Sequence, residues 1–220
     1  MLVLDAQSSD ATVDVARAHG ATVETREWNG FVSARRYALG RVATRWALML
    51  DADERLDATL RDAIVAARDD VDAYRLHRVT TLEGVPIRTA GWSDERLVRL
   101  VRTDRARIEA NALFGNADVH ERCVVGGAVA DLPGTIVHDS YPTIADYRAK
   151  FDRYTQIEAS VVRPSLWALA REVLLVPPRV VWSLVRYGGW RDGWRGCFVA
   201  WQSARYRVAV QNIALRAARP

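Results

Sequence analysis

Short apolar runs alternate with helical patterns over the first third of the chain. Apolar runs of strand length lie at residues 2–4 and 46–50, a further strand is predicted at residues 21–25, and the helical patterns lie at residues 10–19, 33–41 and 57–67. Strands that alternate with helices predict a parallel sheet covered by helices on both faces. Ligands of such sheets bind beyond the carboxyl ends of the strands. Asp5 and Asp51 each follow a strand, so we expect both carboxylates to face the same crevice.

The pattern changes after residue 73. Apolar and polar residues alternate around turns such as Glu83-Gly84, which predicts mixed or antiparallel strands up to about residue 138. Thr143 is expected to begin a helix that runs to about residue 162. Two further helices are predicted at residues 167–187 and 192–216, with a kink or break at Pro177-Pro178 in the first.

Charge is distributed unevenly along the chain. Residues 1–150 carry 20 basic and 23 acidic side chains, whereas residues 151–220 carry 11 basic and 4 acidic ones and five of the eight tryptophans. Arginine and tryptophan on amphipathic helices are typical of a segment that lies on an anionic membrane, and a solvated helical pair packed on the body is the equal alternative. Basic and aromatic residues do not interleave along strands, so we expect no nucleic-acid partner.

No apolar stretch is long enough to predict a spanning helix. Met1 is followed directly by an apolar strand, so we also expect no signal peptide. Cys123 and Cys197 lack metal-ligand spacing and imply no disulfide framework, which fits a reducing cytoplasmic setting.

The sharpest chemical feature is the Leu50-Asp51-Ala52-Asp53-Glu54 segment. Two carboxylates separated by one residue, directly after a buried strand, can both reach one divalent cation. Hard oxygen ligands suit Mg²⁺ or Mn²⁺, which would then bridge a nucleotide diphosphate. The alternative is an ordinary acidic turn, since acidic residues are common at helix starts.

A second polar segment opens the predicted helix at residue 10. Asp5 ends the first strand, and Ser8 and Asp10 follow in a polar turn that could hydrogen-bond the base or ribose of a nucleotide. Simple capping of the helix by Ser9 or Asp10 is the competing interpretation.

In their order and spacing, these segments resemble the family 2 glycosyltransferases of the GT-A fold. Among them, the chain is most similar to the bacterial enzymes that add a sugar to the inner core of lipopolysaccharide. The matching segments are residues 5–12, 28–35, 50–54, 91–92, 96–100, 119–121, 136–141, 150–154 and 193–196.

The resemblance implies an α/β fold with a GT-A-type sheet, flanking helices and a C-terminal helical appendage. Residues 1–142 would form the catalytic domain, and residues 143–220 an amphipathic helical segment that could lie on a membrane surface. The chain begins at what would be the family's second strand, so the family's first strand and helix are expected to be missing.

The resemblance also implies roles for the donor site. Asp5, with Ser8 and Asp10 beside it, would contact the nucleotide, and Arg35 would lie near the diphosphate. Asp51 would hold the ribose or the metal.

Metal binding and catalysis are assigned by the same resemblance. Asp53 would ligate Mg²⁺ or Mn²⁺ together with Asp51, and Glu121, with His120 beside it, is the candidate catalytic base. His138 would be a further metal or phosphate contact, or else a histidine satisfied at a strand end.

The implied activity is inverting transfer of a sugar from a nucleotide-diphosphate donor to a saccharide or lipid-linked acceptor at the cytoplasmic face of the inner membrane. Two other functions stay open. One is a non-catalytic nucleotide-sugar-binding remnant, and the other is a membrane-surface adaptor that acts through the arginine- and tryptophan-rich tail.

Overall fold

A computed structural model describes residues 1–110 and 121–218, and for Glu121 it describes the backbone alone. The strands are β1 (Leu2–Asp5), β2 (Thr22–Thr25), β3 (Trp46–Leu48), β4 (Glu54–Leu56), β5 (Ala73–Leu82), β6 (Val85–Pro86), β7 (Glu95–Arg102), β8 (Ala106–Ala110), β9 (Glu121–Val125) and β10 (Val129–Tyr141). The helices are α1 (Thr12–Ala18), α2 (Phe31–Arg41), α3 (Ala58–Val65), α4 (Ile144–Ala159), α5 (Leu166–Leu174), α6 (Val176–Arg186) and α7 (Gly193–Ala217).

The described strands form three sheets. The largest has the order β3-β7-β5-β10-β4, with β6 paired to β5, and the other two are the pairs β1-β2 and β8-β9. The result is the mixed α/β architecture, with helices beside a sheet and a long C-terminal helix, that the sequence predicts. The chain divides into two compact units, each assembled from separate stretches of sequence.

The first unit comprises Met1–Leu50, Asp62–Leu76 and Leu97–Pro133. Its β1 and β2 pair in parallel, as predicted, with Leu2 opposite Thr22. The third leading strand differs from the prediction, because β3 pairs antiparallel with β7 and places Ala47 opposite Val101. A continuous apolar run predicts a buried strand but carries no information about its partner.

The core of this unit is small. Ala47, Ala73 and Val101 are buried together. Polar contacts fix α2 beside it, since Arg36 Nε donates to the Ile108 carbonyl at 2.7 Å and Tyr37 donates to Glu24 at 2.6 Å. These contacts position α2, the helix that also carries Arg35.

The second unit comprises Asp51–Arg61, His77–Arg96 and Gly134–Pro220. In it β4 pairs antiparallel with β10, and His138 lies opposite Glu54. The predicted turn at Glu83-Gly84 joins β5 to β6, and both residues have positive φ, 52° and 72°. Two consecutive positive φ angles are characteristic of the tight hairpin turn that matches strand twist.

Helix α4 begins where the sequence predicts. Thr143 caps it and forms a reciprocal capping box with Asp146. Its inner face supplies Tyr147 and Phe151 to the main apolar core of this unit, where Val199 of α7 packs against them.

The predicted helix at residues 167–187 is interrupted. It is divided into α5 and α6 at Leu175, and Pro177 and Pro178 lie in the first turn of α6. Proline is accommodated there because the first helical N–H groups have no intrahelical acceptor.

None of the described helices is both long enough and apolar enough to cross a bilayer. The assignment of catalysis to residues 1–142 and of surface binding to residues 143–220 stays a prediction.

Candidate active site

Glu54 organises the loop that carries Asp51 and Asp53. The backbone N–H of Asp51 donates to Glu54 Oε2 at 3.0 Å, and the Glu54 N–H donates to the Asp51 carbonyl at 3.0 Å. The Glu54 side chain is 0% exposed and accepts from Arg78 Nη1 at 3.0 Å. A buried carboxylate is tolerated when it is paired and hydrogen-bonded in this way.

Arg78 extends this anchor. Its other guanidinium nitrogen, Nη2, lies 2.6 Å from Glu95 Oε2. The sequence assigned no role to Glu54 or Arg78. The sequence feature that could have indicated this role is the position of Glu54, an acidic residue that begins a strand directly after the Asp-x-Asp pair.

Two basic side chains converge on Asp53. His138 Nε2 lies 3.3 Å from Asp53 Oδ2, and Lys150 Nζ lies 3.7 Å from the same oxygen. The hydrogen bond from His138 is the main reason that the pKa of Asp53 is lowered to about 2; burial opposes this shift, and the charges of His138 and Lys150 assist it. Asp53 is therefore ionised at neutral pH.

Neighbouring groups orient both partners. Thr80 Oγ1 lies 3.2 Å from His138 Nδ1, so the threonine hydroxyl helps to hold the ring with Nε2 toward Asp53. Lys150 Nζ donates to the Ser140 carbonyl at 2.8 Å and lies 3.1 Å from its hydroxyl.

The backbone of the loop is tied to β10 as well. The Asp139 N–H donates to the Asp53 carbonyl at 2.8 Å. Lys150 is the single lysine of the chain and belongs to a segment that matches the family, but the sequence alone gave it no role at this site.

If Asp51 and Asp53 bind a cation, ligands from outside the protein must complete its coordination. Within the described residues, no group of three or more histidine, cysteine or acidic side chains could hold a metal ion. Mg²⁺ is commonly held by one or two carboxylates, with phosphate oxygens and water completing the octahedron. Asp51 and Asp53 would supply two such carboxylates, and metal binding by them stays a prediction, whereas a cage made only of protein ligands is absent from the described part of the chain.

The predicted nucleotide contacts Asp5, Ser8, Asp10 and Arg35 lie in the first unit. Asp5 is buried and accepts the N–H groups of Gln7 and Ser8 at 3.1 and 3.2 Å. Hydrogen bonding, above all from the Ser8 side chain, lowers the pKa of Asp5. This ordered turn leaves Asp5 ionised, and its contact with a nucleotide stays a prediction.

Asp10 behaves partly as the capping interpretation expects. Its Oδ1 accepts from the Thr12 N–H at 3.0 Å and from the Thr12 hydroxyl at 2.5 Å. The N-cap position of α1 itself belongs to Ala11. Asp10 therefore stabilises the start of α1 whether or not it also meets a ligand.

Arg35 is half-buried on α2. Its charge acts on Cys123, whose thiol pKa is nevertheless raised to about 11 by burial. Cys123 is thus a protonated thiol at neutral pH and is a poor nucleophile.

The candidate base, Glu121, stands at the edge of the described residues. His120 and the Glu121 side chain lie outside the described residues, and the Glu121 backbone begins β9 opposite Ala110. Among the predicted site residues, the structure brings Asp53 and His138 together. The shared crevice for Asp5 and Asp51 stays a prediction.

Comparison with known proteins adds independent information. Residues 1–91 match the model of glycosyl transferase family 2. The chain is 26% identical over 221 residues to the lipopolysaccharide core biosynthesis glycosyltransferase LpsC of Rhizobium meliloti, a match that covers 94% of this chain and 78% of that protein.

Two uncharacterized glycosyltransferases, from Rickettsia typhi and Rickettsia conorii, are each 33% identical over 84 residues. These matches cover 37% of this chain and 29% and 30% of those proteins. The matched model ends just beyond β6 and includes the Asp51–Asp53 loop. The similarity to glycosyl transferase family 2 thus extends over residues 1–91 of the chain.

Proposed function

We propose that this protein is an inverting glycosyltransferase that moves a sugar from a nucleotide-diphosphate donor to a saccharide acceptor. The observation that carries the proposal is the ionised Asp53, which lies in a loop fixed by Glu54 and is approached by His138 and Lys150. The match of residues 1–91 to glycosyl transferase family 2 supports sugar transfer as the reaction class.

Asp51 and Asp53 would hold Mg²⁺ or Mn²⁺. When bound, the cation would neutralise charge that develops on the departing nucleoside diphosphate. The chain's own contribution is preorganisation, because the low pKa of Asp53 keeps the carboxylate ready without proton release at neutral pH. Lys150 would add positive charge near the same phosphate oxygens.

Donor binding would use the residues proposed for the nucleotide. The buried Asp5 carboxylate would accept from the base, Ser8 and Asp10 would line the same turn, and Arg35 would contact the diphosphate. Asp5 is suited to this task because its own turn fixes its orientation.

Inversion requires a base close to the acceptor hydroxyl. Glu121, with His120 beside it, is proposed for this role. No covalent intermediate is required, and the half-buried Cys123 thiol, whose pKa is raised by burial, is protonated at neutral pH.

The acceptor is proposed to be a saccharide or lipid-linked saccharide of the cell envelope. LpsC, which aligns with nearly all of this chain, is named for lipopolysaccharide core biosynthesis. A lipid-linked acceptor would place the protein at the cytoplasmic face of the inner membrane.

The burial pattern of α5 and α6 supports a peripheral membrane contact. α5 buries the charged Glu172, which pairs with Arg171 and Arg179. The outward side chains are large and apolar, namely Leu166, Trp167, Val173, Leu174, Val181, Trp182 and Val185. We call these seven residues the apolar face. Exposed apolar surface of this extent is typical of an interaction site.

Charge identifies the surface that the apolar face suits. Exposed arginines accompany it at positions 163, 171, 186 and 191. Apolar and aromatic side chains beside basic residues are the composition of helices that lie in the interface of an anionic bilayer.

Calorimetric titration with UDP and ADP tests the catalytic proposal. We expect Mn²⁺ to tighten binding by about tenfold or more, and Asp53→Ala to abolish that gain, because a carboxylate ligand is lost. Asp104→Ala, an exposed surface carboxylate, serves as the control and should behave as wild type.

Equal affinity with and without Mn²⁺ in the wild-type protein would contradict the metal assignment. Transfer or hydrolysis with a panel of UDP- and ADP-linked hexoses and heptoses then tests the activity itself. A membrane-surface adaptor, which the apolar face also favours, would bind vesicles normally and release no nucleotide from any donor.

A further inference from the structure

A second site candidate lies between α4 and α7, away from the Asp51–Asp53 loop. Here a cavity of about 370 Å³ is lined by Arg148 and Asp152 of α4 and by Trp201, Gln202 and Arg205 of α7. Its volume falls within the range of small-molecule sites.

This cavity is distinct from the proposed catalytic centre. Lys150, which reaches Asp53, lies two residues from both Arg148 and Asp152 on α4. Because a helix turns through about 200° in two residues, Lys150 projects from the opposite side of α4. A ligand in the cavity therefore leaves Asp53 accessible.

One polar group beside the cavity lacks a partner. Arg205 Nε is buried and has no acceptor among the residues that the structure describes. Gln202, which is 6% exposed, also lines the cavity. A buried polar group without a partner is costly, so this arginine is suited to a polar ligand.

The remaining lining residues indicate the charge and shape of a ligand that would fit the cavity. Phe151 also lines the cavity, and the Arg205 guanidinium carbon lies 4.9 Å from the centre of its ring. Trp201 is 53% exposed and offers an apolar indole face. Two guanidinium groups against one carboxylate leave a net positive charge, which favours an anion.

We propose that the cavity between α4 and α7 binds a saccharide that carries a carboxylate or phosphate group. Arg148 and Arg205 would contact the acidic group, Gln202 and Asp152 the hydroxyl groups, and Trp201 the apolar face of the sugar ring. The site would hold a remote part of the acceptor, so this inference rests on the proposed glycosyl transfer. Remote binding energy of this kind raises the efficiency of the reacting end.

The test is a titration of the full chain with digalacturonic acid and with the neutral disaccharide cellobiose. Saturation-transfer NMR monitors the binding of each ligand. We expect the acidic disaccharide to bind about tenfold more tightly than the neutral one. Arg205→Gln should remove most of that difference, and Trp201→Ala, at an exposed position, should weaken both ligands without unfolding the chain.

Arg207→Gln is the matched control, because Arg207 lies on the same helix in a surface ion pair with Glu158. Equal affinity for both disaccharides, an unaffected Arg205→Gln variant, or an equal loss in Arg207→Gln would each overturn the proposal. So would sodium sulfate, if it bound as tightly as the acidic disaccharide, because the site would then recognise an anion alone.

The outcome is separable from the catalytic proposal. Asp53→Ala should retain binding of digalacturonic acid while it loses the Mn²⁺ effect on UDP. Arg205→Gln should show the reverse, with UDP and Mn²⁺ binding unchanged.

Discussion

Glu54 and Arg78 show how a single buried pair can support a catalytic loop. The Glu54 carboxylate accepts from the Asp51 backbone and from Arg78, while Arg78 also reaches the partly exposed Glu95. Removing one partner of a buried pair leaves the other charge uncompensated. The loop geometry at Asp53 therefore depends on a residue that need not touch substrate.

We predict that two conservative substitutions, one at each carboxylate partner of Arg78, differ in their effect on the free energy of unfolding. Glu54→Gln should lower the free energy of unfolding by about 2–3 kcal/mol, because Arg78 keeps Glu95 but loses its buried partner. Glu95→Gln, the matched control at the exposed end of the same arginine, should cost less than about 1 kcal/mol. Urea unfolding followed by circular dichroism measures both, and equal losses would contradict the anchoring role.

At the scale of elements, β10 approaches the first turn of α3 very closely. Gly134 in β10 has φ of 93°, and a Cβ placed there would lie 2.3 Å from the Leu60 backbone nitrogen. Leu60 is fully buried, and its N–H donates to the Asp57 side chain that precedes the helix. The contact therefore requires glycine both for conformation and for space.

We predict that Gly134→Ala destabilises the fold by about 3 kcal/mol or more, since backbone strain and overpacking act together. Gly84→Ala measures the backbone strain alone, because Gly84 also has positive φ but has open space where a Cβ would lie. It should cost about 1–2 kcal/mol. The melting temperatures of the two variants compare them directly, and similar values would exclude a steric contribution from Leu60.

Over the chain as a whole, the basic segment coincides with the part of the protein that exposes apolar side chains. Residues 151–220 carry 11 basic and 4 acidic side chains, and α5 and α6 in this segment bear the apolar face. Burial of a glutamate beneath exposed tryptophan and leucine reverses the usual arrangement of a surface helix. A membrane interface would satisfy both the basic charge and the apolar face.

Vesicle sedimentation tests this prediction on the full chain. Binding to vesicles of phosphatidylcholine with phosphatidylglycerol should exceed binding to phosphatidylcholine alone, and it should weaken as salt rises. Replacing Trp167 and Leu174, 82% and 77% exposed, by serine should reduce partitioning by about tenfold or more.

The matched control replaces Val15 and Val65, exposed apolar residues of α1 and α3, by serine and should leave partitioning unchanged. If the two double variants partition alike, the apolar face is not the membrane contact.

Local sequence signals determined much of this protein. The end of β1, the start of α4, the turn at Glu83-Gly84 and the Asp51–Asp53 pair after a strand all follow from neighbouring residues. Such features need only the pattern of apolar positions, caps and turn residues. The family resemblance likewise depends on the order of short motifs.

Only the tertiary structure decided the rest. It paired β3 with β7, buried Glu54 against Arg78, and brought His138 and Lys150 to Asp53 from positions far along the chain. It also turned the apolar residues of α5 and α6 outward. Strand partners, buried ion pairs and the exposed side of a helix depend on contacts between distant residues, and these contacts are not encoded in any short stretch of sequence.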